Sequence, residues 1–281
     1  MVSIYNHQIV LYAASKQKCS SFRRRRFRGW CNRTKSCQAG AKVFLSNHHL
    51  EPVQKLADEI IADGGKAEAF LVDALSDKEV NKHVDEIVKK AGRIDVSMNF
   101  IKTEDIQGIP LVNLPFDDFI RPIRRVSESH FITGTAAARA MMKQGSGVIL
   151  SLTATPGGIG YPTAGGFGPA CSVIEKISLG LASELGVYGV RVVNIRSGGS
   201  PDSKPFVDAL AHGGQKAVDF IKKIEDDTML KKMPLMNDVA NVAVFLASDM
   251  AAGITGVTID VTCGTTTALN YKAPGIAFVQ N

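Results

Sequence analysis

A doubly wound α/β domain, with a parallel sheet and helices on both faces, is the fold class that this sequence predicts. Three observations carry that expectation. From Ala41 onward, short β-branched runs alternate with longer stretches of helical period. Such alternation implies parallel strand pairing through right-handed crossovers, which place helices on both faces of one sheet. With 281 residues and 45% hydrophobic content, the chain can bury one large core, and α/β folds of this size often form a single domain.

The elements follow in order. Residues 8–11 (Gln-Ile-Val-Leu) read as a first strand, and residues 42–45 as the second. Residues 51–63 place Val53, Leu56, Ile60 and Ile61 at helical spacing, and Gly64-Gly65 ends that helix. A strand over 67–72, a helix over 77–91 and a strand over 94–100 repeat the unit. A long helix is expected over 117–144 and another over 170–185, with strands over 148–152 and 190–195. A helix over 237–247 precedes a last strand over 257–261. Residues 1–40 thus form a disrupted N-terminal βα unit with a basic insertion, and residues 41–281 the remainder of one domain. Ligands in such sheets bind beyond the carboxyl ends of the strands.

Charge is uneven. Residues 1–50 hold ten Lys or Arg and no Asp or Glu, leaving 23 basic against 27 acidic residues in the rest of the chain. The formal charge of +6 therefore comes from one segment, which argues against a general nucleic-acid-binding surface. No apolar run is long enough to span a membrane. The five cysteines form no paired spacing and no signal-peptide layout precedes them, so a cytoplasmic, reduced chain is expected. Cys19, Cys31 and Cys37 lack a C-x-x-C pair, and no metal site is expected.

The segment Gly147-Val148-Ile149-Leu150-Ser151-Leu152, followed by Pro156-Gly157-Gly158-Ile159-Gly160-Tyr161-Pro162 and Leu181-Ala182-Ser183-Glu184-Leu185-Gly186, resembles the short-chain dehydrogenase/reductase family. Pro234-Leu235, Asp238-Val239-Ala240 and Ile254-Thr255-Gly256 extend the likeness, which covers roughly residues 41–264. It implies a Rossmann-like fold, NAD(P)-linked interconversion of carbonyl and alcohol, and a homodimer or homotetramer paired through the two long helices. It also implies a catalytic Ser, Tyr and Lys. Their positions are held by Ala154, Phe167 and Cys171, and the family's Asn falls at Val126 in an ungapped reading. None of these supplies the proton that meets a carbonyl oxygen as hydride arrives, a transfer that contributes roughly 10²–10⁴-fold. Thr153 and Tyr161 are the candidate substitutes.

The resemblance also implies a glycine-rich turn after the first strand, where backbone amides cradle a pyrophosphate. Residues 12–38 contain one glycine, Gly29. Back-translated and read one nucleotide later, residues 26–37 permit Gly-Ser-Gly-Ala-Gly-Ala-Ile-Ala-Gln-Ser-Leu-Ala, which points to a frameshifted or mis-spliced segment; a solvated insertion, a targeting peptide, or a nucleic-acid or phosphate-binding cluster with Phe22, Phe27 and Trp30 are the other readings. Elsewhere, the family's cofactor contacts map onto Asn47, His48, Asp73, Asn99, Phe100, Ile101, Gly198 and Ser200. With Asn47-His48-His49 in place of an acidic residue after the second strand, NADP is favoured over NAD, bound weakly or not at all. The expectation is an oxidoreductase by descent, impaired or inactive, with a small-molecule ligand. The alternatives are a non-catalytic binding or scaffold protein, and a lyase, isomerase or cyclase reusing the pocket.

Overall fold

The computed structural model describes residues 41–267 and the backbone of residues 8–14. Seven strands form one sheet: β1 (Gln8–Ala14), β2 (Ala41–Asn47), β3 (Lys66–Leu71), β4 (Val96–Phe100), β5 (Gly147–Ala154), β6 (Val190–Ser197) and β7 (Thr258–Val261). Their order is β3-β2-β1-β4-β5-β6-β7. The β2–β3, β4–β5, β5–β6 and β6–β7 pairs are parallel. Helices α1 (Leu50–Ala62), α2 (Asp77–Ala91), α3 (Phe116–Gln144), α4 (Phe167–Leu185) and α7 (Met236–Ala247) follow the predicted alternation, with ends moved by up to three residues. Two more, α5 (Lys204–His212) and α6 (Gly214–Asp227), lie where no element was expected.

β1 departs from the predicted all-parallel pattern. It runs antiparallel to both neighbours, with Gln8 opposite Asn47 and Phe100, and Ala14 opposite Ala41. Its start therefore lies at the carboxyl edge of β2 and β4, and its end at their amino edge. An apolar run reads the same in either direction, so only the connection to β2 can set the polarity. The antiparallel ladder is slightly the more stable per residue. The expected basic insertion and shifted reading frame, over residues 15–40, lie outside the described residues.

Alternation along each strand feeds two apolar layers. In β2, Phe44 points to the layer built with Val80, Val84 and Ile87 of α2, Met141 of α3 and Ile174 of α4. Val43 and Leu45 point to the other, with Val53 and Ile60 of α1 and Val239 and Leu246 of α7. Each fully buried Leu or Ile contributes about 2 kcal/mol. Local signals fix the helix ends. The Ser76 hydroxyl accepts the Glu79 amide at the start of α2, and Gly92 and Gly145, both left-handed, close α2 and α3.

Candidate active site and nucleotide crevice

β5 ends at Ala154, a single 3₁₀ turn (Thr155–Gly157) follows, and α4 begins at Phe167. Two tight approaches seat the start of α4. A Cβ on Gly166 would lie 2.1 Å from the Phe119 carbonyl oxygen and 2.7 Å from Pro122, so only glycine lets this loop rest on α3. A Cβ on Gly157 would lie 2.9 Å from Cys171 Cβ and 2.5 Å from Glu175 Oε1. The turn after β5 is thereby pressed against α4 one and two helical turns past Phe167.

Cys171 is buried and in hydrogen-bond contact with the Ala154 backbone, so two of the three substituted positions meet. Burial pushes its thiol up to about 12, with the Ala154 contact pulling weakly the other way. Cys171 is therefore a neutral thiol at pH 7, neither a cation nor a nucleophilic thiolate. Val126 is fully buried in the core, and the adjacent Ser127 hydroxyl donates to the Ile123 carbonyl within α3.

The two candidate substitutes lie in different surroundings. The Thr153 hydroxyl donates to Glu175 Oε1 at 2.9 Å and accepts from Asn194 Nδ2 at 2.8 Å. Its single proton is thus already placed. Tyr161 is half-buried in the loop before α4, close enough to Asp227 and Lys223 of α6 to feel their charges. Burial, then the Asp227 carboxylate, hold its phenol above the ordinary value.

Sequence reasoning missed the cluster that fills this edge of the sheet. Glu175 on α4 takes a two-pronged bond from Arg196 on β6, at 3.0 Å to Oε1 and 2.6 Å to Oε2. Arg196 Nη1 also donates to Asp260 on β7 at 2.9 Å. The chain continues inward: Asn194 contacts Thr153, Ser151 donates to Asn194 Oδ1 at 2.8 Å, and Ser151 and Ser178 share a 2.7 Å bond. Side-chain exposures of 12% for Glu175 and 11% for Arg196 leave this ion pair largely shielded from water. Part of the signal was present: Glu175 stands in the middle of a largely apolar helix and Arg196 near the end of a largely apolar strand.

A second region lies at the carboxyl edge of β2, β3 and β4. His48, His49, Asp73, Leu75, Lys102, Glu104 and Arg125 line a cavity of about 350 Å³ there. Asn47 shapes the turn, its side-chain oxygen accepting the His49 amide at 2.8 Å. The Asp73 carboxylate accepts the Leu75 amide at 3.0 Å. Burial, then the neighbouring His49, lower the His48 imidazole from its ordinary value, keeping it neutral at pH 7. Of the residues expected to contact a cofactor, the structure brings His48 and Asp73 into this cavity. Asn99 is buried, donating to Thr133 Oγ1 at 3.0 Å, Phe100 closes β4, and Ile101 joins the core. Gly198 packs on Pro234 and Thr262, and Ser200 is buried beside it.

These residues fit one end of a dinucleotide and not the rest. A pyrophosphate needs amides of a turn at the carboxyl edge. The end of β1 instead lies beside Ala41 at the amino edge, about 20 Å away along a seven-residue strand. At the far end, Cys171 offers no ammonium group to a ribose.

Among the described residues, no helix is long and apolar enough to cross a membrane and no group of three metal-ligating side chains occurs. A family model described as enoyl-(acyl carrier protein) reductase matches residues 29–266. The chain is 26% identical over 232 residues to 7alpha-hydroxysteroid dehydrogenase of Escherichia coli, covering 83% of this chain and 87% of that protein. It is 30% identical over 245 residues to (+)-borneol dehydrogenase 2 of Salvia officinalis, covering 81% of each. Among solved structures, sorbitol-6-phosphate 2-dehydrogenase of Erwinia amylovora superposes with a TM-score of 0.73 at 25% identity, covering 82% of this chain and 92% of that one. A gluconate 5-dehydrogenase of Burkholderia cenocepacia, solved with NADP and tartrate, shares the fold with a TM-score of 0.72 at 22% identity, over 83% and 88% of the two chains. Sequence motifs, sheet order and these matches agree, and the chain belongs to the short-chain dehydrogenase/reductase family.

Proposed function

We propose that this protein is a family member whose carbonyl–alcohol chemistry is impaired or lost, and which binds a small ligand in its crevice. One observation carries the reading. Ala154 and Phe167 carry no transferable proton, the buried Cys171 is a neutral thiol with no ammonium charge to assist one, and the Thr153 hydroxyl is held by Glu175. Loss of general acid catalysis removes roughly 10²–10⁴-fold of rate. Removal of the amide cradle weakens whatever hydride donor would bind. NADP, favoured over NAD by the absence of a carboxylate directly after β2, is then held weakly or not at all. A homodimer or homotetramer in the cytoplasm completes the reading, on the likeness to the family.

The test is direct. Purified protein is mixed with NADPH or NADH and a panel of ketones, aldehydes and secondary alcohols, and absorbance at the nicotinamide band is followed. We expect no consumption above the enzyme-free rate. Brisk oxidation of NADPH by any carbonyl compound in the panel overturns the reading.

A further inference from the structure

The amino edge of the sheet, opposite the crevice, carries charges that neither the fold nor the reading above uses. Helices α1, α2 and α3 return to this edge and join β3, β4 and β5 through connections of three, four and two residues, whereas 15 residues separate β4 from α3 at the carboxyl edge. Such short turns make a flat face, unlike the concave sites that small molecules fill. Lys42 and Lys66 open β2 and β3 as register partners, Lys89 and Lys90 end α2, Arg93 follows in the turn to β4, and Lys143 ends α3. Against these six cations stand Asp63, Glu68 and Asp95. Glu68 is shared by Lys42, at 2.7 Å, and Lys90, and Asp95 pairs with Arg93 at 2.6 Å, so two of the three acids are already neutralised. Lys66, Lys89 and Lys143 are exposed and form no ion pair among the described residues. A helix C-terminus favours cations, which accounts for Lys89, Lys90 and Lys143 but not for Lys42 and Lys66 at the starts of strands.

Chain connectivity and size point the same way. Ala14 pairs with Ala41, so residues 15–40 leave and rejoin the sheet at this edge, and their sequence holds nine Lys or Arg and no Asp or Glu. From β3 to β5 the edge crosses four strand spacings, roughly 19 Å. A nucleic-acid duplex carries about one phosphate charge per 1.7 Å of its axis, so a face of that width meets several. Lysine is a compact point charge on a flexible stem, suited to phosphate oxygens and not to reading base edges. Anionic lipid would also attract it, but binding at a lipid surface needs apolar side chains that enter the headgroup layer. Ile61 is the one exposed large apolar side chain among the described residues of this edge.

We propose that the amino edge binds the phosphate backbone of duplex nucleic acid without base selectivity, with Lys66, Lys89 and Lys143 meeting the phosphates. The rest of the chain after residue 50 is mildly acidic, which confines the contact to this one face. The inference goes beyond the reading above and concerns the edge of the sheet away from the crevice, so either can fail alone.

Fluorescence anisotropy of a labelled DNA duplex of mixed sequence, titrated with the full chain, tests it. We expect a dissociation constant of about 1–100 μM near physiological salt, the range of non-specific binding, and the same value for a second duplex of unrelated sequence. The variant Lys66→Gln/Lys89→Gln/Lys143→Gln should weaken binding about tenfold or more and reduce the slope of log K against log salt by roughly two to three. A matched variant, Lys176→Gln/Lys216→Gln/Lys232→Gln, removes the same charge from exposed positions elsewhere and should leave binding within about threefold of the parent. Four results overturn the proposal: no binding of either duplex in that range, equal losses in the two triple variants, no loss in the first variant, or tighter binding to vesicles of phosphatidylserine and phosphatidylcholine than to the duplexes. Equal losses would trace the attraction to net charge, and an unaffected first variant would trace it to residues 15–40 alone. Turnover of NADPH would sink the catalytic reading and leave this inference standing.

Discussion

At the scale of single residues, the Glu175–Arg196 pair governs this edge of the fold. Two largely shielded charges hold each other in a two-pronged geometry, with the Thr153 hydroxyl also donating to Glu175 and Arg196 also donating to Asp260. Removing one partner leaves the other charge part-buried and poorly compensated, which costs at most the ~3–5 kcal/mol typical of fully buried pairs. Arg196→Met is therefore expected to lose up to roughly 3 kcal/mol in a urea melt. The double variant Glu175→Leu/Arg196→Met should recover a good part of that loss, because no lone charge then remains. An unchanged midpoint for the single variant would refute the argument. The three substituted catalytic positions were legible in the sequence because each sits inside a continuous motif. The Glu175–Arg196–Asp260 cluster was not, since its members lie 21 and 64 residues apart and meet only across two strands and a helix.

At the scale of elements, periodicity located most strands and helices, and capping residues such as Ser76, Gly92 and Gly145 marked several ends. Two things were missed. α5 and α6 bury almost none of their side chains, yet Ala217, Val218, Ile221 and Ile224 of α6 do recur at helical spacing, so the signal for that helix was present in the sequence. The direction of β1 was missed as well, because Ile-Val-Leu carries no polarity of its own. Its register offers a test. Ala14 and Ala41 face each other across an antiparallel pair, where opposed Cα atoms lie about 4.5–5.5 Å apart. A two-residue Asn-Gly turn can span that distance. Replacing residues 15–40 with Asn-Gly should leave the circular dichroism spectrum and melting temperature within a few degrees of the parent. Gross unfolding of that variant would show that β1 does not run antiparallel to β2.

At the scale of the whole molecule, two histidines buried in the folded chain set its response to acid. His83, bonded to Ser46 at 2.7 Å and stacked near Phe70, and His130, enclosed on α3, are both lowered to about 4 by burial. The unfolded chain takes up these protons near pH 6.5, the folded chain only near pH 4. Stability is thus fully present above about pH 6.5 and lost as the pH falls toward 4, by on the order of 3 kcal/mol for each histidine. Urea midpoints measured from pH 7.5 to 4.5 should fall steadily, and a His83→Gln variant should show a shallower decline; a flat profile would contradict the burial. The place of β1 has a kinetic consequence. Ile9 pairs with Asn99, and β1 alone joins the β3–β2 pair to the four strands beyond it. β1 must therefore wait until about 90 further residues have been synthesised before its far neighbour exists. Closure of so distant a contact makes the central seam a slow step in folding, and during that wait its unpaired edge is the part of the nascent chain most in need of a chaperone.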